Sequence, residues 1–176
     1  MATLLLVLVV GVELGLLAGV ALSVALFIRN SSQPNITQVG RLGEREQFRS
    51  VKRYPVNLHE QILALRIDEN IFFANAVQIE EKLLRRVLGR HGTKHLLLVC
   101  NAVNHIDATG LSMLLRVNQQ LQTSGVQLHF SDIKGPLMQQ LDQTELARGI
   151  SGEIFFNADQ AFKSLTGDST AAHANP

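Results

Sequence analysis

A chain of 176 residues has room for one ordinary domain and an appendage. Its formal charge of +1 gives no bulk electrostatic argument for a nucleic-acid partner, and a single cysteine excludes an internal disulfide. The chain has no CxxC, and no metal site and no cofactor is read from its six histidines.

The first element is an apolar run. From Thr3 to Ile28, "TLLLVLVVGVELGLLAGVALSVALFI" carries one ionisable residue, Glu13. As a helix it would span roughly 36–39 Å, enough to cross a hydrocarbon core of about 30 Å with some tilt. A signal peptide is disfavoured, since no Lys or Arg precedes the run and it is too long for an h-region. Residues 1–28 are therefore expected to form a transmembrane helix. Arg29, Arg41, Arg45, Arg49, Lys52 and Arg53 all follow the span, which predicts a cytoplasmic location for everything after it. That orientation puts the glycosylation-like triplets at Asn30 and Asn35 in the wrong compartment.

Gly11, Gly15, Gly19 and Ser23 recur every fourth residue and form a ridge of small side chains, as packed membrane helices use. Glu13 points about 160° away from Gly11 around the helix. A carboxylate at that depth usually faces protein or a watery cavity. Both faces therefore call for protein contact, either from further membrane helices or from a second copy of the chain.

Residues 29–57 are polar, basic and broken by Pro34 and Pro55, and are expected to be a linker. A folded domain is then predicted over 58–166. "ILALRID" (62–68) and "IFFAN" (71–75) have strand character and are joined by a polar turn at Glu69-Asn70. "AVQIEEKLLRRVLGRHG" spaces Ile79, Leu83, Leu84, Val87 and Leu88 along a helical face. "HLLLVCNAV" (95–103) is a nearly continuous apolar run, as in a strand covered on both faces, and Cys100 within it reads as a small buried hydrophobe. Leu111, Leu114, Leu115 and Leu121 mark a second helix that closes near Gly125. "VQLHFSDI" is a further strand. "GPLMQQLDQTEL" is a helix opened by Pro136, expected to bury Leu137, Met138 and Leu141. "EIFF" is a short last strand, and "NADQAFKSL" a last helix capped by Asn157. The order ββαβαβαβα predicts an α/β fold with a mixed, mostly parallel sheet and helices packed on it. The tail 167–176 is small and polar, and is expected to be disordered.

The junction "NHIDATGL" sits between the third strand and its helix. Asp107 suits an N-cap, Thr109 would project from the first turn, and Gly110 permits close packing. The helix dipole would favour a phosphate there, and ligand sites of open α/β sheets lie beyond the carboxyl ends of strands. The residues alone allow a phosphate cradle, a phosphoryl acceptor or a simple helix start.

The ββαβαβαβα order with strand–"HIDATGL"–helix resembles a STAS domain, the fold of bacterial anti-sigma factor antagonists. The preceding segment, with "VGRLG" (39–43), "FRSVKRYP" (48–55) and "ILALRID…IFFANA" (62–76), resembles the last membrane helix and linker of SulP-type (sulfate permease family) anion transporters. The resemblance runs from about Leu4 to Leu165. It implies the C-terminal piece of a sulfate or bicarbonate transporter, truncated or split, with a regulatory or assembly role and no transport alone. In the anti-sigma antagonists a serine directly after the motif aspartate accepts phosphate; here Ala108 stands in that place. Thr109 and Ser112 are the remaining hydroxyls. The implied docking edge comprises Asn75, Asn104, Asp107, Ala108, Thr109 and Gly110, and its expected partners are transporter helices, a second copy or a cytoplasmic regulatory protein. A membrane-tethered signalling protein of the anti-sigma antagonist type is the alternative. An enzyme is not expected, because no nucleophile–base–acid set, P-loop or GxGxxG run occurs. The bacterial inner membrane is the location this implies.

Overall fold

The computed structural model describes residues 12–31, 33–43 and 47–167. Gly11 and the rest of the first eleven residues, Arg45, and residues 168–176 of the tail lie outside this description. The chain divides into two units, Met1–Gln33 and Pro34–Pro176.

In the first unit, helix α1 (Val12–Ser31) has 20 residues. Over Val12–Arg29 its mean hydropathy is 1.9, and it is long and apolar enough to cross a membrane. Gly15 is buried and Gly19 half-buried, while Ser23 and Glu13 are exposed.

The second unit is built on one sheet. Its strands are β1 (Ile36–Arg41), β2 (Phe48–Ser50), β3 (Ile62–Ile67), β4 (His95–Val99), β5 (Gln127–Ser131) and β6 (Ile154–Phe155). Their spatial order is β2-β1-β3-β4-β5-β6. β3 to β6 run parallel to one another, and β1 is antiparallel to both β3 and β2. The helices are α2 (Ala76–Leu88), α3 (Ala108–Thr123), α4 (Gly135–Asp142), α5 (Glu145–Gly149) and α6 (Ala158–Thr166).

Strand alternation divides the apolar residues between two faces. Leu63, Leu65, Ile67, Leu96, Leu98, Leu128 and Phe130 face a larger core closed by α2 to α5. Ile62, Ala64, Leu97 and Val99 face a smaller one closed by Ala158 and Ala161 of α6. That double burial is why "LLLV" (96–99) is apolar throughout. α2 presents Ile79, Leu83 and Val87, and α3 presents Met113, Leu114, Val117 and Leu121, at the spacings a single buried helical stripe requires. One flank of α2, and the turn that follows it, are basic. Lys82 Nζ donates to the carbonyl of Pro34 (2.7 Å), Arg86 Nη2 to that of Ile36 (2.8 Å), and Arg90 Nη2 to that of His59 (2.8 Å).

The mixed, mostly parallel sheet is as expected, but three local assignments change. The stretch 29–57 is not only a linker, since it supplies β1 and β2. Conversely, residues 71–75 form no strand. Ile71 makes one parallel bridge with Ile106, and the Asn75 side chain draws the next residues into a turn by accepting from the Phe72 amide (3.0 Å) and donating to the Asn70 carbonyl (2.8 Å). The helix expected over 135–146 is broken at Gln143-Thr144 into α4 and α5; Leu137 and Leu141 are buried, and Met138 is half-buried. Asn157 caps α6 as predicted, accepting from the Gln160 amide at 2.8 Å.

Candidate functional site

The junction after β4 is assembled by asparagine and aspartate side chains that hold backbone. Asp107 is the N-cap of α3: its Oδ1 accepts from the Gly110 amide (2.7 Å). Its Oδ2 accepts from the Phe73 amide (2.9 Å), so one carboxylate ties two loops together. The backbones pair beside it, with the Ile71 amide on the His105 carbonyl and the Asp107 amide on the Ile71 carbonyl, both at 3.1 Å. Asn70 Oδ1 accepts from the amides of Asn104 (2.9 Å) and His105 (3.2 Å).

Gly110 is required by closeness. A Cβ on it would stand 2.9 Å from the Cγ2 atoms of Ile106 and Ile71, and 3.0 Å from the Ile71 carbonyl oxygen. Gly110→Ala should therefore destabilise the domain by about 1–2 kcal/mol, once the helix-propensity gain is offset against overpacking. Thermal melts check this, and an alanine variant that melts higher would show that the close approach is not what selects glycine.

The structure brings most of the sequence-predicted residues to one loop cluster but gives them different surroundings. Ala108, Thr109 and Asn104 are exposed, Asp107 is half-buried, and Gly110 is buried. Asn75 is 0% exposed, and both ends of its amide serve the turn just described, so it shapes the edge from inside. Asn104 Oδ1 accepts from Lys134 Nζ. Ser112 Oγ donates to the Ala108 carbonyl (2.9 Å), while the Thr109 hydroxyl has no hydrogen-bond partner among the described residues.

Sequence reasoning missed Asn70 as the clasp and Phe73 as an exposed neighbour. Phe73 and Val77 are 67% and 70% exposed, and Phe73 packs edge-on against Phe72. Their signal was present in "ENIFFANA", where an asparagine on each side of two phenylalanines suits a turn better than a strand. Further along, Arg116 of α3 meets Glu80 of α2 at 2.8 Å. The result is an exposed edge with an apolar end and a capped helix start.

Two other chemical groups are held inert. Cys100 is buried, and burial, aided by nearby Asp132, pushes its thiol up to about 12. His129 is 2% exposed and pairs with His95, with Nε2 and Nδ1 at 3.2 Å. Burial and then His95 lower the His129 pKa to about 4. Among the described residues, no group of three or more His, Cys, Asp or Glu is placed to hold a metal ion.

A mostly parallel sheet covered on both faces, with a capped helix start beyond the carboxyl end of an interior strand, defines an α/β domain whose usable edge lies at that end. Residues 53–161 match the STAS domain family, and the chain belongs to that family. It is 29% identical over 157 residues to probable sulfate transporter 4.2 of Arabidopsis thaliana, covering 83% of this chain and 23% of that protein. The chain thus spans about a quarter of the length of the curated sulfate transporters it matches. Among solved structures, it superposes on the murine Solute Carrier 26 family member A9 anion transporter in the inward-facing state. The TM-score is 0.81 at 15% identity, over 94% of this chain and 28% of that one. An anti-sigma factor antagonist candidate from Thermotoga maritima shares the fold at a TM-score of 0.55 and 17% identity, over 64% of this chain and 93% of that one.

Proposed function

We propose that this chain is the STAS-bearing part of a SulP-type inorganic anion transport system, with sulfate as the first candidate anion. In this reading the domain is cytoplasmic, helix α1 packs against further transporter helices through Gly15, Gly19 and Ser23, and Glu13 faces protein rather than lipid. The exposed edge formed by Phe73, Val77, Ala108 and Thr109 is the docking surface for assembly or regulation. The observation that carries the proposal is the union, in one chain, of a helix long enough to span a membrane and a STAS domain related to sulfate transporters. The chain alone is not expected to transport, because one helix cannot enclose an aqueous pathway. A photo-crosslinker at Phe73, used in host membranes, should give an adduct with a multi-span anion transporter, and carbonate extraction should leave the chain in the pellet. Release by carbonate, or adducts with soluble proteins alone, would refute it.

One observation favours a second reading, as a tethered signalling protein: the exposed Thr109 hydroxyl on the first turn of α3. Intact-mass measurement after incubation with host kinases and ATP decides this. An unchanged mass removes it, as the alanine at 108 leads us to expect.

A further inference from the structure

Between Glu46 and Glu60 the sequence carries Arg49, Lys52 and Arg53 and no acidic residue, and Tyr54, the chain's only tyrosine, follows directly. Strand alternation turns Phe48 of β2 toward Phe162 and Arg49 to the other face, where it is exposed. The residues after β2 are wound into one tight turn that Ser50 organises. Its Oγ accepts from the Lys52 amide (3.3 Å), and its carbonyl from the amides of Arg53 (3.1 Å) and Tyr54 (3.2 Å). The Val51 amide donates to the Gln38 carbonyl (3.1 Å) and pins the turn to β1. Lys52, Arg53 and Tyr54 are all exposed on this fixed backbone.

Other cations of the domain are matched: Arg66 by Asp68, Arg85 by Glu81 and Arg116 by Glu80. Among the described residues Arg49, Lys52 and Arg53 have no ion pair, and Arg49 Nη2 bonds only the neutral amide of Gln47 (3.1 Å). Topology fixes where this unmatched charge lies. β2 runs antiparallel to β1, so the chain returns along β1 from Arg41 toward its start, and the turn is held by Gln38, the third residue of β1. Lys82 Nζ, on the Pro34 carbonyl (2.7 Å), adds a further cation at that end. Ser32 and Gln33 alone separate Pro34 from the last residue of α1.

We propose, on the reading that α1 spans a membrane, that the turn after β2 binds the anionic lipid surface beside that span. So short a connector tethers this end of the hairpin to the bilayer. Headgroup phosphates supply the negative charge that Arg49, Lys52 and Arg53 lack, and Tyr54 brings the apolar ring and polar hydroxyl that suit the headgroup level. Each cation so placed favours the docked turn roughly fivefold, and the three together on the order of a hundredfold.

The chain has no tryptophan, so tyrosine emission reports Tyr54 alone. The full chain is reconstituted in phosphatidylcholine vesicles with or without about 30 mole per cent phosphatidylglycerol, both doped with a headgroup-nitroxide lipid that quenches at short range. Quenching should be at least about twofold greater in the anionic vesicles. KCl at about 1 M, which cuts the screening length to about 3 Å, should remove the difference. Arg49→Gln, Lys52→Gln and Arg53→Gln combined should remove it too, at an unchanged melting temperature. Lys52→Arg with Arg53→Lys keeps the charge and should keep the quenching. Glycerol phosphate in solution should not compete; if it displaces the turn from the vesicles, a free phosphate is the ligand and the lipid assignment falls. Equal quenching in both vesicles, with the chain resistant to carbonate, overturns the lipid contact and leaves the spanning helix standing. A chain that carbonate releases overturns both.

Discussion

Replacing Asp107 with alanine should destabilise the STAS domain by about 3 kcal/mol, the largest loss expected from any single exposed-edge substitution. Two losses combine in that figure. Removing an N-cap carboxylate costs about 1 kcal/mol, and stripping the Phe73 amide of a charged acceptor costs a further 1.5–3 kcal/mol or so. Both oxygens are engaged, at 2.7 Å with Gly110 and 2.9 Å with Phe73, so the two losses fall together. Asn caps as well as Asp but offers one oxygen, so Asp107→Asn should lose about half as much. Far-UV circular dichroism melts would give the totals. Amide exchange would place them: Gly110 and Phe73 should exchange faster in D107A, with the β4 amides least affected at low temperature. A D107A loss below about 0.5 kcal/mol would mean that the carboxylate does not join the loops in solution.

Acid should be the second strong perturbation. His129 Nδ1 accepts from the Glu153 amide (3.0 Å), which puts its proton on Nε2, facing His95 Nδ1. A second proton would meet the Glu153 N–H in a buried site. The folded pKa of about 4 lies below the unfolded value of 6.5, so the folded state disfavours the charged form. The resulting stability is fully present above about pH 6.5, declines as pH falls, and is gone below about pH 4. Each tenfold difference in proton affinity between the folded and unfolded chain is worth about 1.4 kcal/mol, so the fall from 6.5 to about 4 amounts to roughly 3–4 kcal/mol. His95, lowered by burial and by nearby Lys94 and His59, acts in the same direction. Denaturant midpoints should fall between pH 6.5 and 5, before most carboxylates titrate, and His129→Leu should flatten that slope while lowering the plateau. A wild-type midpoint that stays level across this interval would contradict the buried neutral pair.

Residues that bury a stripe were legible in the sequence, and residues that hold backbone were not. Ile79, Leu83 and Val87 announced α2 by spacing, and "HLLLV" announced a strand covered on both sides. Asp107 and Asn157 were readable as caps because the cap position has its own chemistry. β1 and β2 escaped because "ITQVGR" and "FRS" mix polar and apolar residues without clean alternation, and β1 buries Ile36, Val39 and Gly40 rather than every second residue. "IFFAN" misled for the opposite reason: its composition suits a strand, but Asn75 bends it into a turn. The candidate edge was legible around Asp107 as a capped helix start. Its inner clasp, Asn70, was invisible because its partners are amides thirty-four and thirty-five residues away.

The basic side of α2 protects the sheet's margin. Carbonyls along a strand alternate in direction. The Asn35 carbonyl turns toward β3, where it accepts from the Asp68 amide (3.1 Å), so those of Pro34, Ile36 and Gln38 turn the other way. Gln38 finds the Val51 amide at 3.1 Å, but β2 pairs only with Val39–Arg41 and leaves the first half of β1 uncovered. Arg86 and Lys82 take the next two acceptors, Ile36 and Pro34. A bare half-strand of this kind is a template on which another chain can add a strand. Two cations reaching over from a helix complete the ladder that a longer β2 would have formed, and keep that margin closed to self-association.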